Sequence, residues 1–347
     1  MKKILITGGA GFIGSHLAER LLDTGYEVSI LDDLSTGSKS NVSHLAKNPN
    51  FHTYWNSVFD TDALKPLVYE ADIVFHMAAS VGVCRILERP VETIENNVGG
   101  TSLVLKTCLK NKTKVFIAST SEVYGKNDQV PLRETDDGVL GPTVNSRWNY
   151  ACSKAIDEFL SLAYYKESKL PVVIVRFFNT VGSRQTGRYG MVIPRFTTQA
   201  LSGEPITVYG DGEQTRSFTD VEDIINGLIL LNDCKNAVGQ VFNIGSGMEI
   251  SIGDLAQKIK QMTGSSSSIT HVPYRIAYEA GFEDLRRRVP DITKVNKLTG
   301  YKPKVDFEET LKRIIEYHRL KQVVTPHPNP LPQGARGSEK TKKTVPA

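Results

Sequence analysis

The run Lys3-Ile4-Leu5-Ile6-Thr7 is apolar and leads directly into Gly8-Gly9-Ala10-Gly11-Phe12-Ile13-Gly14. From Ser15 to Thr24 leucines and alanines then recur at helical spacing, and Gly25 supplies a stop. Strand, glycine turn and helix in that order build a cradle for phosphate. Gly8 permits the tight turn, Gly11 lets the backbone approach a pyrophosphate, and Gly14 lets the helix pack close to the sheet. The helix start adds unpaired N–H groups and the positive end of a dipole. A second strand, Val28-Ser29-Ile30-Leu31, ends at Asp32, eighteen residues past Gly14. A carboxylate there accepts ribose hydroxyls and repels a 2′-phosphate, so the expected cofactor is NAD.

The strand pattern repeats at Ile73-Val74-Phe75-His76, Val115-Phe116-Ile117-Ala118 and Val172-Val173-Ile174-Val175, with helix-like stretches between. Apolar strands alternating with helices predict an α/β chain: a Rossmann-like, doubly wound parallel sheet covered on both faces. After Arg176 arginines, glycines and prolines interleave with short apolar pieces, such as Val192–Phe196 and Ile206–Gly212. This texture predicts a smaller, loop-rich C-terminal α/β domain that closes over the open edge of the sheet. Val241–Gly245 reads as a strand returning to the main sheet. The expected division is 1–178 for the dinucleotide domain, 179–323 for the substrate domain and 324–347 for a tail. Prolines at 326, 328, 330, 332 and 346, with almost no apolar residues, predict a disordered tail.

Bulk properties exclude several classes. Of the formal net charge of +4, three units belong to residues 324–347, where Arg336, Lys340, Lys342 and Lys343 oppose Glu339. The near-neutral remainder offers no footprint for nucleic acid. No apolar run approaches membrane-spanning length, and the N-terminus enters a strand at once, which predicts no membrane partner and no secretory signal. Cys84, Cys108, Cys152 and Cys234 are scattered, so reduced thiols in a cytoplasmic protein are expected, with no metal site.

Tyr150 and Lys154 stand four apart in Trp148-Asn149-Tyr150-Ala151-Cys152-Ser153-Lys154, on one face of a helix. A free phenol has a pKa of about 10 and is a poor base at neutral pH. A neighbouring ammonium favours the phenolate, and so does an oxidised nicotinamide. Tyr150 is therefore the expected base for an alcohol that loses hydride to the cofactor. Thr120 would hold the same oxygen.

These motifs, with His76-Met77-Ala78-Ala79, Asn97, Arg176-Phe177-Phe178-Asn179 and Tyr209-Gly210-Asp211-Gly212, resemble one family across residues 2–318. It is the extended short-chain dehydrogenase/reductases of the nucleotide-sugar epimerase/dehydratase type. The resemblance implies that Gly8, Gly11, Phe12, Ile13, Gly14, Asp32, Ala78, Asn97, Tyr150, Lys154 and Phe177 hold NAD. It implies that Thr120, Glu122, Tyr150 and Lys154 carry the catalysis. Asn179, Arg216 and Arg288 would meet the diphosphate side of a nucleoside diphosphate sugar. Dimerisation through the Tyr150 helix and the helix after Pro90 is likewise implied. His76 is expected near the cofactor without titrating. Glu95, Asp157 and Glu158 are expected to face solvent.

Members of this family first oxidise the sugar at C4, and the residues around that carbon decide the next step. The triplet Thr120-Ser121-Glu122 and the stretch Gly281–Pro290 are similar to those of UDP-glucuronate decarboxylases, whereas simple epimerases commonly carry a small or hydroxyl residue at the Glu122 position. Ser80-Val81-Gly82-Val83-Cys84 departs from the decarboxylase pattern and suits an epimerase equally well. UDP-glucuronate decarboxylase is the expected activity. A UDP-sugar 4-epimerase is nearly level with it, and a GDP-mannose-type 4,6-dehydratase comes third. A non-enzymatic NAD-binding module is disfavoured, because the tyrosine, lysine and threonine are all present.

Overall fold

The apolar runs become strands of one sheet, since each is too uniformly hydrophobic to leave either face in water. The computed structural model describes residues 1–187, 190–277 and 286–324. Its first part runs β1 (Lys3–Thr7), α1 (Phe12–Asp23), β2 (Glu27–Leu31), β3 (Phe51–Tyr54), α2 (Thr61–Glu70) and β4 (Ile73–His76). Short helices α3 (Val83–Glu88) and α4 (Pro90–Ile94) lead to α5 (Gly100–Asn111), β5 (Lys114–Thr120), α6 (Asn149–Ser168) and β6 (Val172–Phe177). Next come β7 (Thr180–Val181), α7 (Val192–Leu201), β8 (Ile206–Tyr209), β9 (Thr215–Ser217), β10 (Thr219–Asp220) and α8 (Val221–Asp233). The last part holds β11 (Gln240–Ile244), β12 (Glu249–Ser251), α9 (Ile252–Thr263), β13 (Ile269–Val272), α10 (Tyr274–Ala277), α11 (Thr293–Thr299) and α12 (Phe307–Val324). The expected disordered tail, from Thr325 onward, lies outside the described residues, as does the 281–285 part of the arginine-bearing stretch.

Seven strands pair in parallel in the order β11-β6-β5-β4-β1-β2-β3. Chain order reverses between β1 and β4, which opens a crevice at the carboxyl ends of the strands, where such sheets hold ligands. Alternation along the strands feeds two cores. Ile4 and Ile6 pack with Leu17, Leu21, Ile224 and Leu228 of α1 and α8, while Leu5 points the other way to Leu64, Val68, Val104 and Leu105 of α2 and α5.

A separate apolar cluster joins α7, α9 and α12 around Ile193, Phe196, Leu255, Ile259, Leu311 and Ile314. The second half is therefore less loop-rich than its composition predicts: α7, α8, α9 and α12 have 10, 13, 12 and 18 residues. Pro194 does not break α7, because it sits in the first turn, where its missing N–H has no partner to lose. β11 lies beside β6 with Val241 opposite Ile174, so the chain comes back to the main sheet.

The expectation that Asp157 and Glu158 face water does not hold, although Glu95 does. Both are buried because each has a cation to meet. Lys154 Nζ lies 2.7 Å from Asp157, and Arg176 on β6 grips Glu158 at 2.7 and 2.9 Å. On the same helix it is the apolar Phe159 that is exposed, by 74 %.

Candidate active site

At the end of β1 the chain turns at Gly8 with φ +72°, where a Cβ would meet the Ala78 nitrogen at 2.7 Å. A Cβ on Gly14 would lie 2.2 Å from the Gly8 carbonyl oxygen. Glycine turn, helix and the loop after β4 are thus packed backbone to backbone. Helix α1 begins without a capping side chain and without an acid in its first turn, so its first N–H groups and positive dipole end are left for an anion. Gly14→Ala is expected to displace the turn at a cost of about 1–3 kcal/mol and weaken dinucleotide binding roughly tenfold to a hundredfold. Calorimetric titration with NAD reads this out; undiminished affinity would remove the phosphate role from the turn.

Asp32 is 7 % exposed and accepts the N–H groups of Ala10 at 2.9 Å and Leu34 at 2.8 Å. Burial, only partly offset by those bonds, holds its carboxyl above the usual range. From here a cavity of about 600 Å³ extends past Ala78 and Phe177 to the ends of β5 and β6. Gly8, Gly11, Phe12, Ile13, Gly14 and Asp32 line its first part; Thr120, Glu122, Tyr150, Asn179, Arg216 and Arg288 line the rest. A glycine cradle that no side chain can fill, a helix start and an acid after β2 fit the two halves of a dinucleotide.

Asn97 and Lys154, both expected to hold NAD, are buried beside this cavity. Asn97 is buried and binds Ser80, accepting its N–H at 2.7 Å, and donates to Ser153 Oγ at 3.2 Å. It joins the loop after β4 to α6. Lys154 is 2 % exposed and directed at Asp157. Burial first, then the Glu122 charge, push Tyr150 above its ordinary value, and a hydrogen bond to Thr120 offsets them only in part.

At this end Thr120 closes β5 and caps a 3-10 turn, Ser121–Tyr124, by accepting the Glu122 N–H at 3.2 Å. The turn presents Glu122 to two arginines: Arg147 Nη1 at 2.5 Å and Arg288 Nη1 at 3.4 Å. Burial would raise the Glu122 carboxyl, but the two guanidinium charges more than reverse it and hold it down to about 2. Arg288 also donates to Ser121 Oγ at 3.4 Å. Arg288, from the segment before α11, lines the same cavity beside Ser121 and Glu122. Leu132 and Val289 hydrogen-bond there at 2.8 Å. Arg216 is also buried, on β9, with Nη1 donating to the Thr215 carbonyl at 2.7 Å, and Asn179 Nδ2 donates to the Ser217 carbonyl at 3.1 Å.

Arg147 is a site residue that the sequence motifs do not include. A signal for it exists: it stands three residues before Tyr150, a spacing that brings both to one side of a helical turn. It is 3 % exposed. His76 lies between Thr7 Oγ1 at 2.7 Å and Thr101 Oγ1 at 3.3 Å. Burial, with help from the Lys154 charge, pushes it down to about 3, so it is neutral and takes no part as an acid. Among the described residues no cluster of ligating side chains could hold a metal ion.

This arrangement has relatives. The family model of GDP-mannose 4,6 dehydratase matches residues 5–314. A UDP-N-acetyl-α-D-glucosaminuronate decarboxylase of Bacillus cytotoxicus is 45 % identical over 319 residues, covering 92 % of this chain and 98 % of that protein. UDP-glucuronic acid decarboxylase 1 of Xenopus tropicalis is 38 % identical over 92 % of this chain and 72 % of its own length. Among solved structures, a UDP-glucuronic acid 4-epimerase from Bacillus cereus, in complex with UDP-glucuronic acid and NAD, superposes with a TM-score of 0.83 at 30 % identity. That match covers 92 % of this chain and 99 % of the epimerase. The glycine turn, the parallel sheet and the Thr120–Tyr150 pair thus have one explanation: the chain is an enzyme and belongs to the GDP-mannose 4,6 dehydratase family of extended short-chain dehydrogenase/reductases.

Proposed function

We propose that this enzyme is an NAD-dependent decarboxylase of a UDP-linked uronic acid, either UDP-glucuronate or its 2-acetamido counterpart. The observation that carries this reading is the cluster of Glu122 with Arg147 and Arg288. Two guanidinium forks converge on the Glu122 carboxylate beside the phenol, a geometry suited to receiving a sugar carboxylate. When bound, NAD supplies a reversible hydride acceptor for C4 of the sugar. Gly8, Gly11, Phe12, Ile13, Gly14 and Asp32 would hold it, and Arg216 and Asn179 would face the diphosphate of the sugar nucleotide.

The phenol of Tyr150, held protonated in the protein alone, becomes a base when positive charge stands beside it. It then takes the proton of the C4 hydroxyl as that carbon is oxidised. The product is a β-keto acid. Its C5–C6 bond breaks, carbon dioxide leaves, and the electron pair moves to the C4 oxygen, where Thr120 and the reprotonated Tyr150 donate hydrogen bonds. Protonation at C5 and return of hydride to C4 complete the turnover, so the net change is uptake of one proton and loss of carbon dioxide. Glu122, held anionic by the two arginines, acts as a positioning group that orients them.

Incubation with UDP-glucuronate and with UDP-N-acetylglucosaminuronate, followed by mass spectrometry, tests the reading. Loss of carbon dioxide from either is the expected result. A product of unchanged mass with a new C4 configuration by NMR would replace the decarboxylase with a 4-epimerase.

We further infer a homodimer. Val91 and Ile94 on α4 and Ile156 and Phe159 on α6 are exposed by 66, 43, 42 and 74 %, an apolar surface that a second copy would cover. Light scattering on the eluted protein gives the mass that decides it. A cytoplasmic setting agrees with the free thiols of Cys108, Cys152 and Cys234, and no helix among the described residues is long and apolar enough to cross a membrane.

A further inference from the structure

Lys154 and Asp157 form an ion pair of 2.7 Å, with side chains 2 % and 0 % exposed, one turn beyond Tyr150 on α6. The pair is closed off on its inner side by a string of polar groups. Thr101 of α5 lies against Asp157 and meets His76 Nε2 at 3.3 Å, and His76 Nδ1 meets Thr7 Oγ1 at 2.7 Å. This string runs from the catalytic helix to the last residue of β1, next to the glycine turn. Both ends of the cavity therefore rest on the same buried polar connection.

An ammonium at that depth without an anion costs several kcal/mol, and such a group responds by releasing its proton. The neighbouring anions are engaged elsewhere. Glu122 stands between Arg147 and Arg288, and Glu158 is held by Arg176. Glu92, on α4, is paired with Arg85 and Arg89. His76 on β4 is neutral, and Asn97 and Thr101 carry no charge. Asp157 is thus the carboxylate that the structure sets on Lys154. Burial raises its own carboxyl, with the Lys154 charge opposing.

We propose that Asp157 is a positioning residue, whose carboxylate keeps the Lys154 ammonium charged and seated one turn from Tyr150, ready for the dinucleotide. This rests on the reading that NAD occupies the cavity and that Lys154 serves it as a donor. Tyr150 benefits indirectly, since the ammonium that favours its phenolate is fixed in advance rather than recruited. The remaining groups facing the pair do not confuse the titration. Glu122 is held down to about 2 and His76 to about 3, while Tyr150 is pushed above its ordinary value. None of these three changes charge between about pH 6 and about pH 9 in the protein without cofactor.

The test is calorimetric titration of NAD into the full chain freed of nucleotide, across about pH 6 to about pH 9, with Asp157→Asn beside the unsubstituted protein. The unsubstituted chain gives the reference profile, which includes any proton that Tyr150 releases as the positive dinucleotide binds. Asp157→Asn is expected to approach it at the acid end and to weaken by about tenfold or more at the alkaline end, as the unpaired ammonium loses its proton. A variant that parallels the unsubstituted chain at every pH, equal or uniformly weaker, would overturn the proposal. If Asp157→Asn does not fold, the paired variant Asp157→Asn with Lys154→Met decides. Recovery of a folded chain when both charges are removed supports the proposal, because the defect was then a lone buried cation. An unfolded pair overturns it. Absence of NAD binding by the unsubstituted chain at any pH would instead defeat the cofactor reading, and the folding of the pair would still judge the role of Asp157.

Discussion

Tyr150→Phe is expected to lower turnover of the UDP-uronate by about a thousandfold or more while leaving the chain folded and able to hold NAD. The substitution removes one oxygen from a ring that is 8 % exposed and leaves its packing in place. What is lost is the single group positioned to take the C4 proton, together with its hydrogen bond to Thr120. No neighbour can substitute. Glu122 is bound between two arginines, His76 is neutral and buried, and Lys154 is turned to Asp157. Turnover number and NAD content of the purified variant, measured together, give the answer. A variant with normal turnover would end the phenol mechanism; one that has lost NAD would show the ring to be structural first.

Glu122→Gln is expected to destabilise the chain by about 3 kcal/mol at neutral pH, because it removes the carboxylate on which two buried guanidinium groups converge. Its pH dependence has a definite sign. The folded-state carboxyl is depressed to about 2, so the stability it contributes is fully present above the ordinary carboxylate range. It is lost as pH falls toward about 2. Denaturation curves of variant and parent should therefore converge in acid and diverge toward neutrality. A constant gap across that range would mean that the carboxylate charge is not what holds the arginines. The activity should fall as well, by about a hundredfold, because Arg147 and Arg288 lose the geometry that receives the substrate carboxylate. An epimerase acting on a neutral sugar has no such requirement and would keep most of its rate.

Much of the sheet is legible in the chain because its strands are continuous apolar runs, and a run such as Ile73–His76 has no alternative burial. The glycine loop is legible for the opposite reason: Gly8 and Gly14 occupy positions where any side chain collides with backbone. Helix α6 misleads. Its acids at 157 and 158 have the look of a wet face, yet they turn inward to Lys154 and Arg176, while Phe159 turns outward. Periodicity reports which residues share a face, and it is silent on whether a face is charged because it is solvated or because it is paired. The same limit hides Arg147, whose importance lies in meeting Glu122 from 25 positions away. Helix α7 is lost among short apolar pieces, since Pro194 reads as a breaker unless one knows it falls in a first turn.

The return of β11 to the edge of the main sheet, with α8 laid against α1, has a consequence for how this molecule can be taken apart. A fragment ending near residue 178 would leave β6 as a bare edge, its Val173–Phe177 backbone deprived of the partner that Gln240–Ile244 provides. It would also uncover the leucines of α1 that α8 shields. Such an edge invites intermolecular strand pairing. The N-terminal half is therefore not a detachable module. Its last strand is synthesised only after the C-terminal half has begun, so it reaches its final form late on the ribosome, and swapping C-terminal halves between relatives calls for two splice points flanking residues 221–244 rather than one cut.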